Sequence, residues 1–108
     1  MRIIIRGQNL KLTPAIRAFT EEKIGGVTRL LGASERLLAR VEVGKPSQRH
    51  KSGPIFYAEV NLSLGSRLLR AHAEHQDLYS AIDKIRDEIE RQIRKFKTKR
   101  TSLLKRDR

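Results

Sequence analysis

The sequence predicts an α+β domain of order β-α-β-β-β-α, a four-stranded sheet with two helices packed on one face. Three observations predict it. Two stretches repeat their apolar residues at a helical period, and three others alternate apolar and polar residues at strand length. The alternating stretches are dry on one side only, which leaves one sheet face for both helices to cover. A chain of 108 residues holds one such core and not a second.

The elements follow in order. Arg2 to Arg6 reads as a first strand, closed by Gly7 and the turn-prone Asn9. Thr13 supplies a side-chain N-cap and Pro14 the first helical position, where its missing N–H is harmless. Ile16, Phe19, Ile24, Val27 and Leu31 carry that helix to about Leu31, and Gly32 stops it. Gly25-Gly26 is a weak point in its middle, at about 1 kcal/mol each relative to Ala. Period two then takes over, with Leu37, Ala39, Val41 and Val43, then Ala58, Val60, Leu62 and Leu64, then Leu69, Ala71 and Ala73. Gly65-Ser66 fits a two-residue hairpin turn with Gly first. The connection before it, Gly44 to Pro54, is a basic loop with a breaker at each end. Asp77 caps the last helix, whose stripe is Leu78, Ile82, Ile85, Ile89, Ile93 and Phe96. The folded domain is placed at residues 1–97 and a basic C-terminal tail at 98–108.

The charge is large and localised. Lys and Arg number 24 against 12 Asp and Glu, a net +12, well beyond what solubility requires of a small domain. Residues 91–108 hold nine of those cations and a single Asp107. A helix macrodipole is satisfied by one or two cations at its C-terminus, so an excess of this size points to a polyanionic partner. On a helical wheel Lys84, Arg91 and Lys95 share one flank of the last stripe, with Asp83, Asp87 and Glu90 at the back. Lys23 falls at the edge of the first helix's stripe, where its stem can lie on packed side chains and its ammonium emerge beside the second helix. Together these place a basic groove between or beside the two helices.

Other chemistry is poorly supported. The absence of Cys removes disulfides and thiolate metal sites and suits a reducing cytoplasm. His72 and His75 point to opposite faces of a strand and cannot chelate one ion, so no metal or other cofactor is expected. No nucleophile elbow, phosphate-cradling loop or HExxH occurs, and Asp83 with Asp87 reads as a solvated pair, so neither catalysis nor a small-molecule substrate is expected. The apolar run Ile3-Ile4-Ile5 is far shorter than the roughly 20 residues of a spanning helix. The open sheet face would carry Arg40, Glu42, Glu59, Asn61, Arg70, His72 and Glu74 with at most Tyr57, a mixed-charge surface that does not stack bases. A double-stranded-RNA module is disfavoured as well, because the last helix opens Asp77-Leu78-Tyr79 rather than on cations.

Two segments resemble a known family, the ribosome hibernation promoting factors, also called ribosome-associated translation inhibitors and formerly sigma-54 modulation proteins. The first is Arg70-Ala71-His72-Ala73-Glu74-His75-Gln76-Asp77-Leu78-Tyr79-Ser80-Ala81-Ile82-Asp83, followed by Glu90-Arg91-Gln92-Ile93-Arg94-Lys95 and Lys97. The second is Gly7-Gln8-Asn9-Leu10 with Thr13-Pro14-Ala15-Ile16-Arg17 and Phe19. The resemblance implies binding to the small ribosomal subunit, in the channel of mRNA and the A-site and P-site tRNAs, with translation blocked in stationary phase or stress. It brings in a ribosome modulation factor as a second partner. It implies rRNA contacts by Lys23, Arg91, Lys95 and Lys97, with Arg17 a weaker carry-over, and the charge distribution adds Lys84, Arg94, Lys99 and Arg100. Glu88 stands where the family often has Lys, and Lys84 one turn earlier is the expected compensation. The chain ends soon after the last helix, as in the short type of this family or an excised N-terminal domain. The competing expectation is a basic regulatory module that binds a protein partner or an anionic membrane surface.

Overall fold

The structure, a computed structural model, describes residues 2–32, 37–46 and 55–106, with side chains through 98. In order these residues form β1 (Arg2–Gln8), α1 (Pro14–Thr28), a 3-10 turn (Arg29–Leu31), β2 (Leu37–Gly44), β3 (Phe56–Leu64), β4 (Arg67–His75) and α2 (Leu78–Arg106). The strands lie in sequence order across one sheet, β1 parallel to β2 and the rest antiparallel. The predicted architecture is therefore present, and the differences lie at element ends.

β1 runs two residues past the expected Arg6, because Gly7 and Gln8 still pair with Val43 and Gly44. Only glycine fits at position 7, where a β-carbon would press on the Leu10 carbonyl at 2.6 Å. Asn9 then turns the chain with a positive φ of 54°, a conformation Asn tolerates, and its side-chain amide donates to the Lys45 carbonyl at 3.2 Å. α1 begins as its sequence dictates: the Thr13 hydroxyl accepts from the Ile16 N–H at 3.2 Å, with Pro14 at the first position. Its final turn tightens to 3-10 geometry before Gly32 leaves the helix with φ +84°. Gly25-Gly26 does not break it, since Gly25 is buried beside Ile3. In the β3–β4 hairpin Gly65 takes φ +61° while Ser66 does not share the positive φ, as the Gly-first turn requires.

The core lies between the sheet and the two helices. Val41, Val43, Val60 and Leu62 face Ile24, Val27, Ile82, Ile85, Ile89 and Ile93, all at most 2% exposed. Each Ile removed from water on α2 stabilises the fold by about 1.5–3 kcal/mol. α2 packs over β3 and β4, and α1 lies beside it toward β1. Contacts from Phe19 to Tyr79, Lys23 to Asp83 and Leu30 to Lys97 advance together, so the helices run parallel. α2 continues through the residues set apart as a tail, as far as Arg106. At about 1.5 Å per residue its 29 residues exceed the span of a nine-residue strand, and among the described side chains Phe96 is its last packed on the core.

Candidate nucleic-acid interface

Asp77 fixes the start of α2. Its carboxylate accepts from the Ser80 N–H at 3.2 Å and the Ser80 hydroxyl at 2.8 Å, and the Ser80 hydroxyl bond in particular holds its pKa below the usual carboxylate value. The His75 imidazole in turn accepts from the Asp77 N–H at 2.9 Å, while His72 lies on the other sheet face against Tyr57. The two histidines are thus apart, as the strand periodicity requires. Among the described residues no cluster of His, Cys, Asp or Glu is suited to a metal ion.

From this start α2 presents two polar flanks with different neighbours. One faces α1. There the Lys23 ammonium lies 3.5 Å from Asp83 and 5.3 Å from the Phe19 ring centre, and Lys97 donates to the Leu30 carbonyl at 2.8 Å. Asp83 therefore points to α1 and not to the solvent-facing back expected of it. The reason is tertiary: its neighbour across the helix pair is the Lys23 that the same wheel placed at the stripe edge.

The other flank faces the edge strand β4. A shallow depression there is lined by residues of β4 from Arg70 to Glu74 and by Lys84 and Glu88. The Gln92 amide reaches across it to donate to the Arg70 carbonyl at 2.8 Å. Lys84, Arg91 and Lys95 share this flank, as the wheel predicts, but Lys23 does not join them. The basic surface lies beside α2 and not between the helices.

Pairing then separates cations of equal charge. Glu88 holds Arg91 with two hydrogen bonds, Nη2 to Oε1 at 2.6 Å and Nε to Oε2 at 3.0 Å, and also accepts from Gln92 at 3.0 Å. The Arg91 bond, then the Gln92 bond, draw the Glu88 carboxyl down to about 2, and the same contact raises the Arg91 pKa. Arg94 lies 3.9 Å from Glu90, and Arg86 bridges Asp87 and Glu90. Lys84 and Lys95 are exposed and have no carboxylate partner among the described residues. Arg67, at the start of β4, sits over the Phe96 ring at 5.2 Å and extends this basic flank. Arg17 is exposed on the flank of α1 opposite Phe19 and Lys23, away from α2. The Lys99 and Arg100 side chains, and residues 47–54 of the basic loop, lie outside the described residues.

Sequence reasoning missed Arg67 and the capture of Arg91. The i, i+3 spacing of Glu88 and Arg91 was a usable signal for the second. Arg67 had none, because its position over Phe96 depends on the β3–β4 register. Among the described residues no helix is long and apolar enough to cross a membrane.

A single sheet with two parallel helices on one face and a cationic outer flank on the second defines a class, the small basic α+β module. The chain belongs to the Sigma 54 modulation protein / S30EA ribosomal protein family, which matches residues 3–101. It is 37% identical over 95 residues to a ribosome hibernation promotion factor of Lactococcus lactis subsp. cremoris, covering 88% of this chain and 49% of that protein. A Staphylococcus aureus protein of the same name is 39% identical over 99 residues, covering 92% and 50%. The chain thus spans about half the length of these curated relatives. The crystal structure of the Thermus thermophilus Protein Y N-terminal domain superposes with a TM-score of 0.74 at 32% identity, covering 89% of this chain and 99% of that one. A ribosomal subunit interface protein from Coxiella burnetii shares the fold, with a TM-score of 0.73 at 23% identity over 91% of this chain and 99% of that one.

Proposed function

We propose that this domain binds the RNA of the small ribosomal subunit, in the channel used by mRNA and the A-site and P-site tRNAs, and inhibits translation by filling that space. The observation that carries this reading is the outer flank of α2, where Lys84 and Lys95 stand without carboxylate partners among the described residues on a chain of net +12. Membership in a family whose curated relatives are named ribosome hibernation promotion factors supplies the ribosome as the polyanion. The action is non-enzymatic, and the inhibition belongs to stationary phase or stress in the cytoplasm. Phosphate contacts of this kind bring steep salt dependence and little sequence preference.

The test sediments the protein with purified small subunits and, separately, with anionic vesicles, and follows translation of a reporter in a reconstituted system. Salt-sensitive co-sedimentation with subunits together with loss of translation supports the reading. Binding to vesicles but not subunits overturns it in favour of a membrane-surface module. A sucrose gradient of whole ribosomes, with and without a ribosome modulation factor, then reads whether particles pair.

A further inference from the structure

We propose that Tyr79, in the first turn of α2, is a stacking platform for one unpaired nucleobase of the RNA this domain binds. The proposal rests on the ribosomal-RNA reading above and adds a base contact on the flank of α2 toward α1 to the phosphate contacts of the outer flank. Among the described residues only Leu68 and Tyr79 are large hydrophobic side chains left exposed, and Tyr79 is the aromatic one, at 38%. Its ring meets Phe19 at a centroid distance of 4.8 Å and an angle of 85°. A perpendicular contact covers at most one face of the tyrosine ring, so at least one face is left uncovered by Phe19. The same contact fixes the ring in place, which lowers the entropy cost of using it to bind. The Lys23 ammonium, 5.3 Å from the Phe19 ring centre, places a cation beside the same aromatic pair. Its partner Asp83 is half exposed, so a phosphate can compete for that ammonium.

The sheet's open face makes the contrast plain. Tyr57 is only 8% exposed, stacks on His72 at 5.9 Å and donates its hydroxyl to Glu42 at 2.9 Å, so its ring is already occupied. The exposed aromatic lies instead in the helical layer, where the outward cations of α2 also lie. Stacking tolerates every base, and it complements a cationic flank that has no means of reading sequence.

Binding of the full chain to purified small subunits, to a short oligo(A) and to inorganic polyphosphate tests the proposal. Polyphosphate offers charge without bases. Tyr79→Ala is expected to weaken binding to subunits and oligo(A) by about tenfold, with polyphosphate binding and salt slope unchanged, and Tyr79→Phe to stay within about twofold of wild type. The chain has two tyrosines and no tryptophan, so in a Tyr57→Phe background fluorescence reports Tyr79 alone, and oligo(A) should quench it. Equal binding of Tyr79→Ala and wild type to subunits overturns the platform while leaving the rRNA reading intact. Equal losses on RNA and polyphosphate overturn it in favour of a structural role, and wild type that binds no subunits overturns both.

Discussion

The two flanks of α2 carry the same kinds of residue and do different work. On the flank toward α1, Lys23 meets Asp83 and Lys97 meets a backbone carbonyl, so the cations help to join two parallel helices. On the flank toward β4, Lys84 and Lys95 have no such neighbours among the described residues and are exposed. Arg91 stands between these cases, placed on the outer flank but held by Glu88. A count of positive charges therefore overstates what a polyanion meets. What matters is which cations the fold leaves unpaired on one continuous surface.

The largest expected effect removes the footing both flanks share. Ile89 is fully buried beneath α2, and Ile89→Ala should cost about 2–5 kcal/mol in denaturant unfolding, weakening binding through loss of fold. Next, Glu88→Gln sharpens the contrast by releasing Arg91 to the outer flank. It should tighten binding to small subunits by about fivefold near 0.1 M salt and steepen the salt slope, both read by titration at several salt concentrations. Weaker or unchanged binding would mean that Glu88 serves only to brace the helix. The smallest effect concerns the opposite face of the sheet. Burial, then the hydrogen bond to Glu42, push the Tyr57 phenol up to about 12. The unfolded chain ionises at the ordinary value near 10 while the folded chain does not, so this contribution is complete below pH 10 and lost between pH 10 and 12. Tyr57→Phe should flatten that alkaline limb in thermal melts, lower stability by about 1 kcal/mol at neutral pH, and leave RNA binding unchanged.

Much of the fold is legible in the sequence because local signals and tertiary demands agree. Thr13-Pro14 and Asp77 cap the helices where they begin, and strict alternation marks β2, β3 and β4. The ends of β1 and α1 were less legible, since pairing with Gly44 and a 3-10 closure depend on neighbours distant in sequence. The candidate site was legible by half. A wheel gives the angle of Lys84, Arg91 and Lys95 around their own axis, and that grouping is present. It does not give the neighbour each flank meets, which depends on the strand order β1-β2-β3-β4 and on α2 lying over the β4 edge. Asp83 was assigned to the solvent-facing back for that reason, although it faces Lys23.

The central claim is that the outer flank of α2 binds RNA, and paired charge reversal tests it most directly. Binding to purified small subunits is measured across salt concentration for wild type, Lys84→Glu/Lys95→Glu and Lys23→Gln. The outer-flank pair should lose roughly fiftyfold in affinity near 0.1 M salt and about 2 units of salt slope, while Lys23→Gln loses threefold or less on the order of a single neutralised contact. Unchanged binding and slope for Lys84→Glu/Lys95→Glu would contradict the account.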